Sequence, residues 1–408
     1  MRFVLAVVLV VCSVVSSPVW AADGFADVNG VTTGGAGGPT VSVSSVADFL
    51  AYATQATAPY VIEVTGNLNV GAINIGSNKT IRGAGAGATL EGELQVSGKS
   101  NVIFQNLNIT NDRTAGTGDG IRIVNGSHHI WADHCTFYDT DDGALDITNE
   151  SDYVTVSWCK FYYTRNNGHN FVNLIGSSDD FTADRGKLHV TFHHNWWGNL
   201  CIERMPRVRF GQVHVYNNYY SATGNNYGVR AALESQNLVE NNYFDGTADP
   251  WEYYTTNGQT PGLIKAVGNL LVNTNTPVGG NDNVFNPPYN YQLDAAADVK
   301  SKVMAGAGAG GGSTPPPPAT LPAAPTALSA VAGKRKITLS WTDNSNNETG
   351  FKIERSTDGV TFTQIATSTS ASYTNGSLTT GATYHYRVRA YNSAGDSTYS
   401  NVATATSK

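Results

Sequence analysis

The feature that most limits what this chain can fold into is an imperfect repeat. The runs NVIFQNLNI (101–109), HIWADHCTF (129–137), YVTVSWCKF (153–161), HVTFHHNWW (189–197), VHVYNNYY (213–220) and LVENNYF (238–244) each place a β-rich run before a small polar residue and an aromatic or aliphatic one. Aligned, they put Asn106, Cys135, Cys159, Asn195, Asn218 and Asn242 at one position, at steps of 29, 24, 36, 23 and 24 residues. A period of that length means stacked coils, each burying its neighbour's apolar face. The unit here is strand and turn without helix, so the expected architecture is all-β, a parallel β-helix. Stacking sets each Asn over the next, where side-chain amides bond along the axis in a ladder. The same alignment sets Cys135 over Cys159, close enough for a disulfide and equally compatible with two buried thiols.

Composition agrees. Only 14% of residues are charged, with 43 Gly and 20 Tyr, which favours strands and tight turns over helices. The first 21 residues carry one Arg, an apolar run and small residues at Val19 and Ala21, the pattern of a signal peptide cut near Ala21 and hence of a secreted protein. No later run reaches the roughly 20 apolar residues of a membrane helix. The expected partner is neither nucleic acid nor membrane, and the chain is expected to act as a monomer. Of the four cysteines, Cys12 leaves with the signal, and the remaining three make at most one bridge.

Residues 305–321, AGAGAGGGSTPPPPATL, are Gly-rich and then Pro-rich and read as a spacer. The expected division is therefore a β-helix domain at 22–304, a linker at 305–321 and a second domain at 322–408. In the last, short alternating segments such as KITLSW, GFKIERS and TYHYRVRAYN, separated by Asn, Gly and Ser turns, indicate a small β-sandwich. With Trp341, Leu378 and Tyr384 it resembles a fibronectin type III module, although Thr380 stands where Pro is common. Such a module implies a spacer or a weak adhesive arm and no generic chemistry.

Three carboxylates stand out in the first domain: Asp119 in GTGDGIRI, and Asp142 and Asp146 in TDDGALDIT. Asp119 precedes Asp142 by nearly one coil, so consecutive coils bring all three to one face of the solenoid. Clustered carboxylates are costly unless a cation sits among them or one is protonated. An all-oxygen ligand set favours Ca²⁺ over Zn²⁺. The stretch ERMPRVRF (203–210) adds Arg204, Arg207 and Arg209 to a chain of formal net charge −7.

Taken in order, GVTTGGAGG, NKTIRGAGAG, GDGIRI, IWADHCTF, DGALDI, YVTVSW and RMPRVRFGQVHVYNNYY resemble the successive signatures of the pectate lyases, polysaccharide lyase family 1, over about residues 24–290. The resemblance implies a right-handed parallel β-helix with an acidic Ca²⁺ cleft, and elimination across carbons 4 and 5 of polygalacturonate. It places Asp119, Asp142 and Asp146 at Ca²⁺-ligand positions. It places Arg204 and Arg209 on the two arginines of an R-x-P-x-x-R motif, the first as catalytic base and the second as substrate-binding residue. Arg207 reads as a coil-stacking surface residue.

Two departures follow from the same likeness. Thr117 stands where some members carry a further ligand Asp. Asn170 and Phe171 stand where a substrate-binding Lys is frequent, with Arg165 and Lys187 as candidate replacements. His134, His169, His193 and His194 read as stacking residues at coil turns. Competing readings are a pectin lyase on methyl-esterified polymer, which has no use for the Asp cluster, a polygalacturonase working through paired carboxylates, which leaves the arginines unexplained, and a non-catalytic polysaccharide-binding β-helix.

Overall fold

In the computed structural model the described residues are 22–112, 116–256, 258–311, 321–345, 348–392 and 395–408. The expected signal segment, residues 1–21, lies outside them, as do residues 312–320 of the spacer. Residues 40–272 wind into a parallel β-solenoid. One wall is a sheet of ten strands running from Thr40–Val43 to Leu263–Val267, each paired parallel with the next. The other two walls are a stack from Ile121–Val124 to Trp251–Tyr253 and a stack from Leu107–Asn111 to Leu270–Val272, joined through the long strand Ala88–Ser97.

Parallel strands covered on one side by their own coil need continuous apolar ladders inside. Ile123, Ile147, Ile175, Val208 and Ala231 lie in register down one wall. Phe137, Phe161, Trp197, Tyr220 and Phe244 lie down another, with successive ring centroids 4.9, 5.7, 4.6 and 4.2 Å apart. All ten side chains are buried.

The amide ladder is present, with the expected Asn195, Asn218 and Asn242 joined by Asn269. Asn195 donates through its backbone N–H and Nδ2 to Asn218 Oδ1, Asn218 does the same to Asn242, and Asn242 to Asn269, at 2.8–3.0 Å. Each Nδ2 also reaches a backbone carbonyl of the preceding coil: Val156, Phe192, Val215 and Val239 in turn. Cys159 continues the column by donating its backbone N–H to Asn195 Oδ1 at 2.9 Å. Cys135 sits above it, and both are free buried thiols.

Asn106 does not belong to this column. Thr136 pairs with Asn108, so Cys135 lies over Leu107, and Asn106 falls one position earlier with His134, Trp158, His194, Asn217 and Asn241. Those six residues share φ between 48° and 54°. The corner between two walls requires a left-handed residue there, which Asn adopts most readily. The sequence alignment slipped by one because Asn is favoured both at the left-handed corner and in the ladder beside it.

The chain closes over the far coils with the helix Ala296–Gly306, whose Val299 and Val303 pack on Tyr219. Packing continues beyond residue 304. Gly308 donates to the Trp158 carbonyl, Ala309 to Thr136 Oγ1 and Gly310 to Asn106 Oδ1, each at 2.8 Å. Residues 326–406 form three-stranded and five-stranded antiparallel sheets around Ile337, Leu339, Trp341, Phe351, Tyr384 and Tyr386, with Leu378 buried beside them. This is the sandwich expected for that segment.

Asn218 is fully buried and serves both neighbouring coils, so Asn218→Ala strands several polar groups at once. The substitution is expected to cost about 3 kcal/mol, against about 1 kcal/mol for Asn269→Ala at the half-buried end of the ladder. Calorimetric melting of the solenoid checks this. Equal losses at the two positions would mean that the ladder carries no special share of stability.

Candidate active site

The wall from Ile121–Val124 to Trp251–Tyr253 shows its outer face as a file in register: Arg122, Asp146, Leu174, Arg207, Arg230 and Glu252. Alternation along a strand sends these side chains outward while Ile123, Ile147 and Val208 point into the core. The turns that feed this wall supply the other groups.

Asp119 and Asp146 are both buried, at 4% and 7% exposure. Asp119 accepts hydrogen bonds from the Gly143 N–H at 2.8 Å and the Thr117 hydroxyl at 2.6 Å. Burial pushes its carboxyl up to about 6; the Asp142 charge adds to this and the Thr117 bond opposes it. Asp146 accepts from the Leu174 N–H at 2.9 Å. Burial, and then the Asp119 charge, hold it well above the usual carboxylate range, while Arg204 pulls the other way. Asp142 is the more exposed member. His169 Nε2 lies 2.7 Å from its Oδ1, in an alignment that falls short of a hydrogen bond.

The structure adds a fourth carboxylate that sequence reasoning missed. Glu93, 3% exposed on the strand Ala88–Ser97, accepts from the Thr117 N–H (2.6 Å) and lies 2.8 Å from the Thr117 hydroxyl, whose single proton is shared between Glu93 and Asp119. Thr117 therefore bridges Glu93 and Asp119. Among the described residues, no three Asp, Glu, His or Cys side chains are gathered closely enough to hold a metal ion unaided. The donors are nonetheless those a hard cation takes, all oxygen, and two of them are buried against each other's charge, which a bound cation would relieve.

Arg204 lies in the left-handed region at φ 62° and precedes a cis Met205–Pro206 bond. Its guanidinium sits 4.8 Å over the Phe171 ring, and its buried Nε has no hydrogen-bond partner. Glu203, the adjacent carboxylate, bonds instead to Asn226 and Tyr227. Arg209, 9% exposed, donates from Nε to Asp179 at 2.5 Å and from Nη1 to the Gly176 carbonyl at 3.0 Å. Asp179 is held below its usual range by the Gln259 amide first and by Arg209 after it. Two of Arg209's five N–H donors are thus spent on fixing its plane.

Arg207 is more than a surface residue. It stands in the file between Leu174 and Arg230, 5.3 Å from the Tyr254 ring, with its Nε buried and unpartnered. Burial and then Arg209 push its guanidinium down from the usual arginine value. Arg230, also missed, is ion-paired with Glu252 and stacks 3.7 Å over Tyr227. Among the replacement cations, Arg165 lies 3.6 Å from Asp112 and 3.8 Å from Asp141, beside the acidic cluster. Lys187 lines a separate hollow with Glu150 and Asp152. His134 and His194 stack on either side of Trp158 and His193 stacks on Tyr216, as expected of turn residues. His169 packs on the Phe171 ring, centroids 4.0 Å apart, and in addition lies against Asp142.

The pectate lyase family model matches residues 1–311 and the fibronectin type III model residues 323–406. This chain belongs to the pectate lyase family. Its first domain is accordingly that of a polysaccharide lyase. It is 34% identical over 304 residues to the pectate trisaccharide-lyase of Bacillus licheniformis, covering 70% of this chain and 85% of that protein. It is 38% identical over 299 residues to the probable pectate lyase A of Neosartorya fischeri, covering 71% and 88%. Among solved structures, a pectate lyase bound to a hexasaccharide superposes with a TM-score of 0.62 at 25% identity, covering 73% of this chain and 99% of that one.

A buried carboxylate that repels its neighbour destabilises the cation-free fold and favours the cation-bound one. Asp146→Asn keeps an acceptor for the Leu174 N–H and removes the repulsion. In chelator the variant is expected to melt higher than the parent, by about 1–2 kcal/mol, while the gain in melting temperature on adding Ca²⁺ shrinks. A variant that melts lower in chelator and keeps the full Ca²⁺ gain would contradict this electrostatic picture.

Proposed function

We propose that this protein is a secreted, Ca²⁺-dependent pectate lyase that cleaves (1→4)-α-D-galacturonan by β-elimination, leaving 4,5-unsaturated oligogalacturonides. The observation that carries the reading is the meeting, on one outward face, of a mutually repelling pair of buried carboxylates with a run of arginines. An anionic polymer cannot approach the first without the second, or without a cation. The apolar N-terminal run supports export, and none of the described helices is long and apolar enough to cross a membrane.

Asp119, Asp142 and Asp146 would hold the Ca²⁺. When bound, the ion neutralises the uronate carboxylate and withdraws charge from the adjacent carbon. The remaining roles belong to side chains. Arg209, its plane fixed by Asp179 and Gly176, offers its outer N–H groups to a carboxylate as a fork. Arg204, in its neutral guanidine form, takes the proton from carbon 5 and becomes the guanidinium, and the departing glycosidic oxygen takes its proton from water. Its support is an aromatic ring beneath the guanidinium, an Nε with no partner, and no described carboxylate within ion-pair distance. The electron pair left on carbon 5 forms the double bond to carbon 4 as the glycosidic oxygen departs. Arg209 would hold the uronate carboxylate in ground and transition state alike, whereas the contribution of Arg204 would be made only as the proton moves. In the position of the expected Lys, Phe171 shapes the base's surroundings and His169 and Arg165 supply the nearby basic groups.

Two experiments separate this from its rivals. On polygalacturonate the enzyme is expected to raise ultraviolet absorbance from the unsaturated uronide with Ca²⁺ and to fall silent in excess chelator. Full activity in chelator on methyl-esterified polymer would indicate a pectin lyase, and reducing ends without absorbance a hydrolase. The trisaccharide named in the Bacillus relative makes the trimer the product to size first.

The arginines are told apart by kinetics. Arg204→Lys keeps a basic nitrogen but moves it, and is expected to lose about 10²–10⁴-fold in kcat. Arg209→Lys loses only the fork and is expected to act mainly on KM. Near-normal kcat for Arg204→Lys at alkaline pH would move the base elsewhere.

A further inference from the structure

The charge of the chain is unevenly divided. Residues 322–408 hold eight Lys and Arg against five Asp and Glu, whereas the whole chain holds 25 against 32. One surface gathers three of these cations, Lys352, Arg387 and Arg389, against two carboxylates, Glu354 and Asp396. In the five-stranded sheet of the fibronectin type III module, Phe351 and Ile353 of Gly350–Ser356 and Tyr384, Tyr386 and Val388 of Thr383–Asn392 point into the core. Alternation turns Lys352, Arg387 and Arg389 to the other side.

There the cations are arranged. The Arg387 guanidinium lies between two rings, 4.3 Å from the Phe362 centroid and 3.7 Å from that of Tyr399, and Arg389 sits 5.0 Å from the same Tyr399. Glu354 lies beneath them with its side chain 6% exposed; it accepts from Arg387 Nη2 at 2.6 Å, from Arg389 Nη2 at 3.3 Å and from the Tyr399 hydroxyl at 2.9 Å. Asp396 takes Lys352 at 2.7 Å and Arg389 at 2.9 Å. Three cations thus share two carboxylates, one of them below the surface. The guanidinium planes are fixed from beneath, while their side chains remain 26–28% exposed beside a ring that is 37% exposed.

A fixed guanidinium plane among aromatic rings suits a carboxylate on a ring-shaped carrier. A polymer with one carboxylate per sugar presents such groups at regular intervals. We propose that this face of the fibronectin type III module is a second binding site for polygalacturonate, which holds the enzyme on its polymer away from the catalytic cleft. The identity of the polymer rests on the lyase reading; the chemistry recognised, a chain of carboxylated sugars, rests on the module alone.

The test uses the full chain in chelator, so that no turnover removes the ligand. Migration through gels cast with polygalacturonate, or with neutral dextran, gives an apparent Kd for the polymer. The wild type is expected to be retarded by polygalacturonate and not by dextran. Arg387→Gln/Arg389→Gln is expected to raise the apparent Kd about three- to tenfold, with a smaller rise for Lys352→Gln, and both effects to shrink as salt rises. Rates on a short soluble oligogalacturonate are expected to stay at the wild-type level in both variants. If removing Glu354's two arginine partners abolishes the module's melting transition, Lys352→Gln, at the rim, decides alone. Equal retardation of wild type and folded variants overturns the proposal. Failure of the lyase reading shows differently, as no unsaturated product from any form while the difference in retardation persists.

Discussion

The structure depends on parallel register. Once Asn195, Asn218, Asn242 and Asn269 are linked amide to amide, a slip of one coil against the next would leave several buried polar groups unpaired. Each amide also ties down a carbonyl of the preceding coil, so every coil is held to both of its neighbours by the same side chain. Aromatic and aliphatic ladders provide most of the burial, but they tolerate exchange among similar residues. The amide column does not, because its partners are directional and desolvated. The fixed register is what allows single residues from separate coils, Asp119, Asp146, Arg207 and Arg230, to arrive on one face.

That face is built on an electrostatic conflict. Asp119 and Asp146 are buried, Asp119 raising Asp146 while Asp142 and Glu93 raise Asp119, and Arg204, Arg207, Arg209 and Arg230 crowd the coils beyond them. Neither half is well satisfied alone: Arg204 and Arg207 each keep an unpartnered Nε, and the two Asp carboxyls resist ionisation. Strain of this kind in a polar site is expected where a ligand supplies the missing charges. A cation on one side and a polyanion across both would settle it. The acidic cluster and the arginines therefore require each other, and this reciprocity supports lyase chemistry more strongly than either group alone.

Much of this was legible in the sequence because a solenoid repeats its own geometry. The period revealed the coil, the three Asp positions followed from nearly one coil of spacing, and ERMPRVRF announced the arginines. What stayed hidden has physical reasons. Asn106 was misaligned because the corner and the ladder beside it both prefer Asn. Arg230, Glu252 and Tyr254 are hidden because the cleft wall beyond Ile121–Val124 has strands of only two or three residues, too short to show a pattern, and Glu93 because it lies on the long strand Ala88–Ser97, outside the repeat. Extending the same period across that wall would have found them, since Glu93 and Thr117 are 24 residues apart and Arg230 and Glu252 are 22 apart. Phe171 could be read as a departure, but its place beneath Arg204 required the bridge between Phe171 and Glu203 on adjacent coils.

The central claim is that Asp119, Asp142 and Asp146 share one cation with a uronate whose carboxylate reaches Arg209 and whose carbon 5 faces Arg204. A crystal structure of an inactive Arg204 variant soaked with Ca²⁺ and an oligogalacturonate tests it most directly. The account predicts an ion bound by those three carboxylates and by the sugar carboxylate, with the glycosidic bond lying along the file from Asp146 to Arg230. An oligosaccharide bound in the cleft with no ion among the three aspartates, or with carbon 5 turned away from position 204, would contradict it.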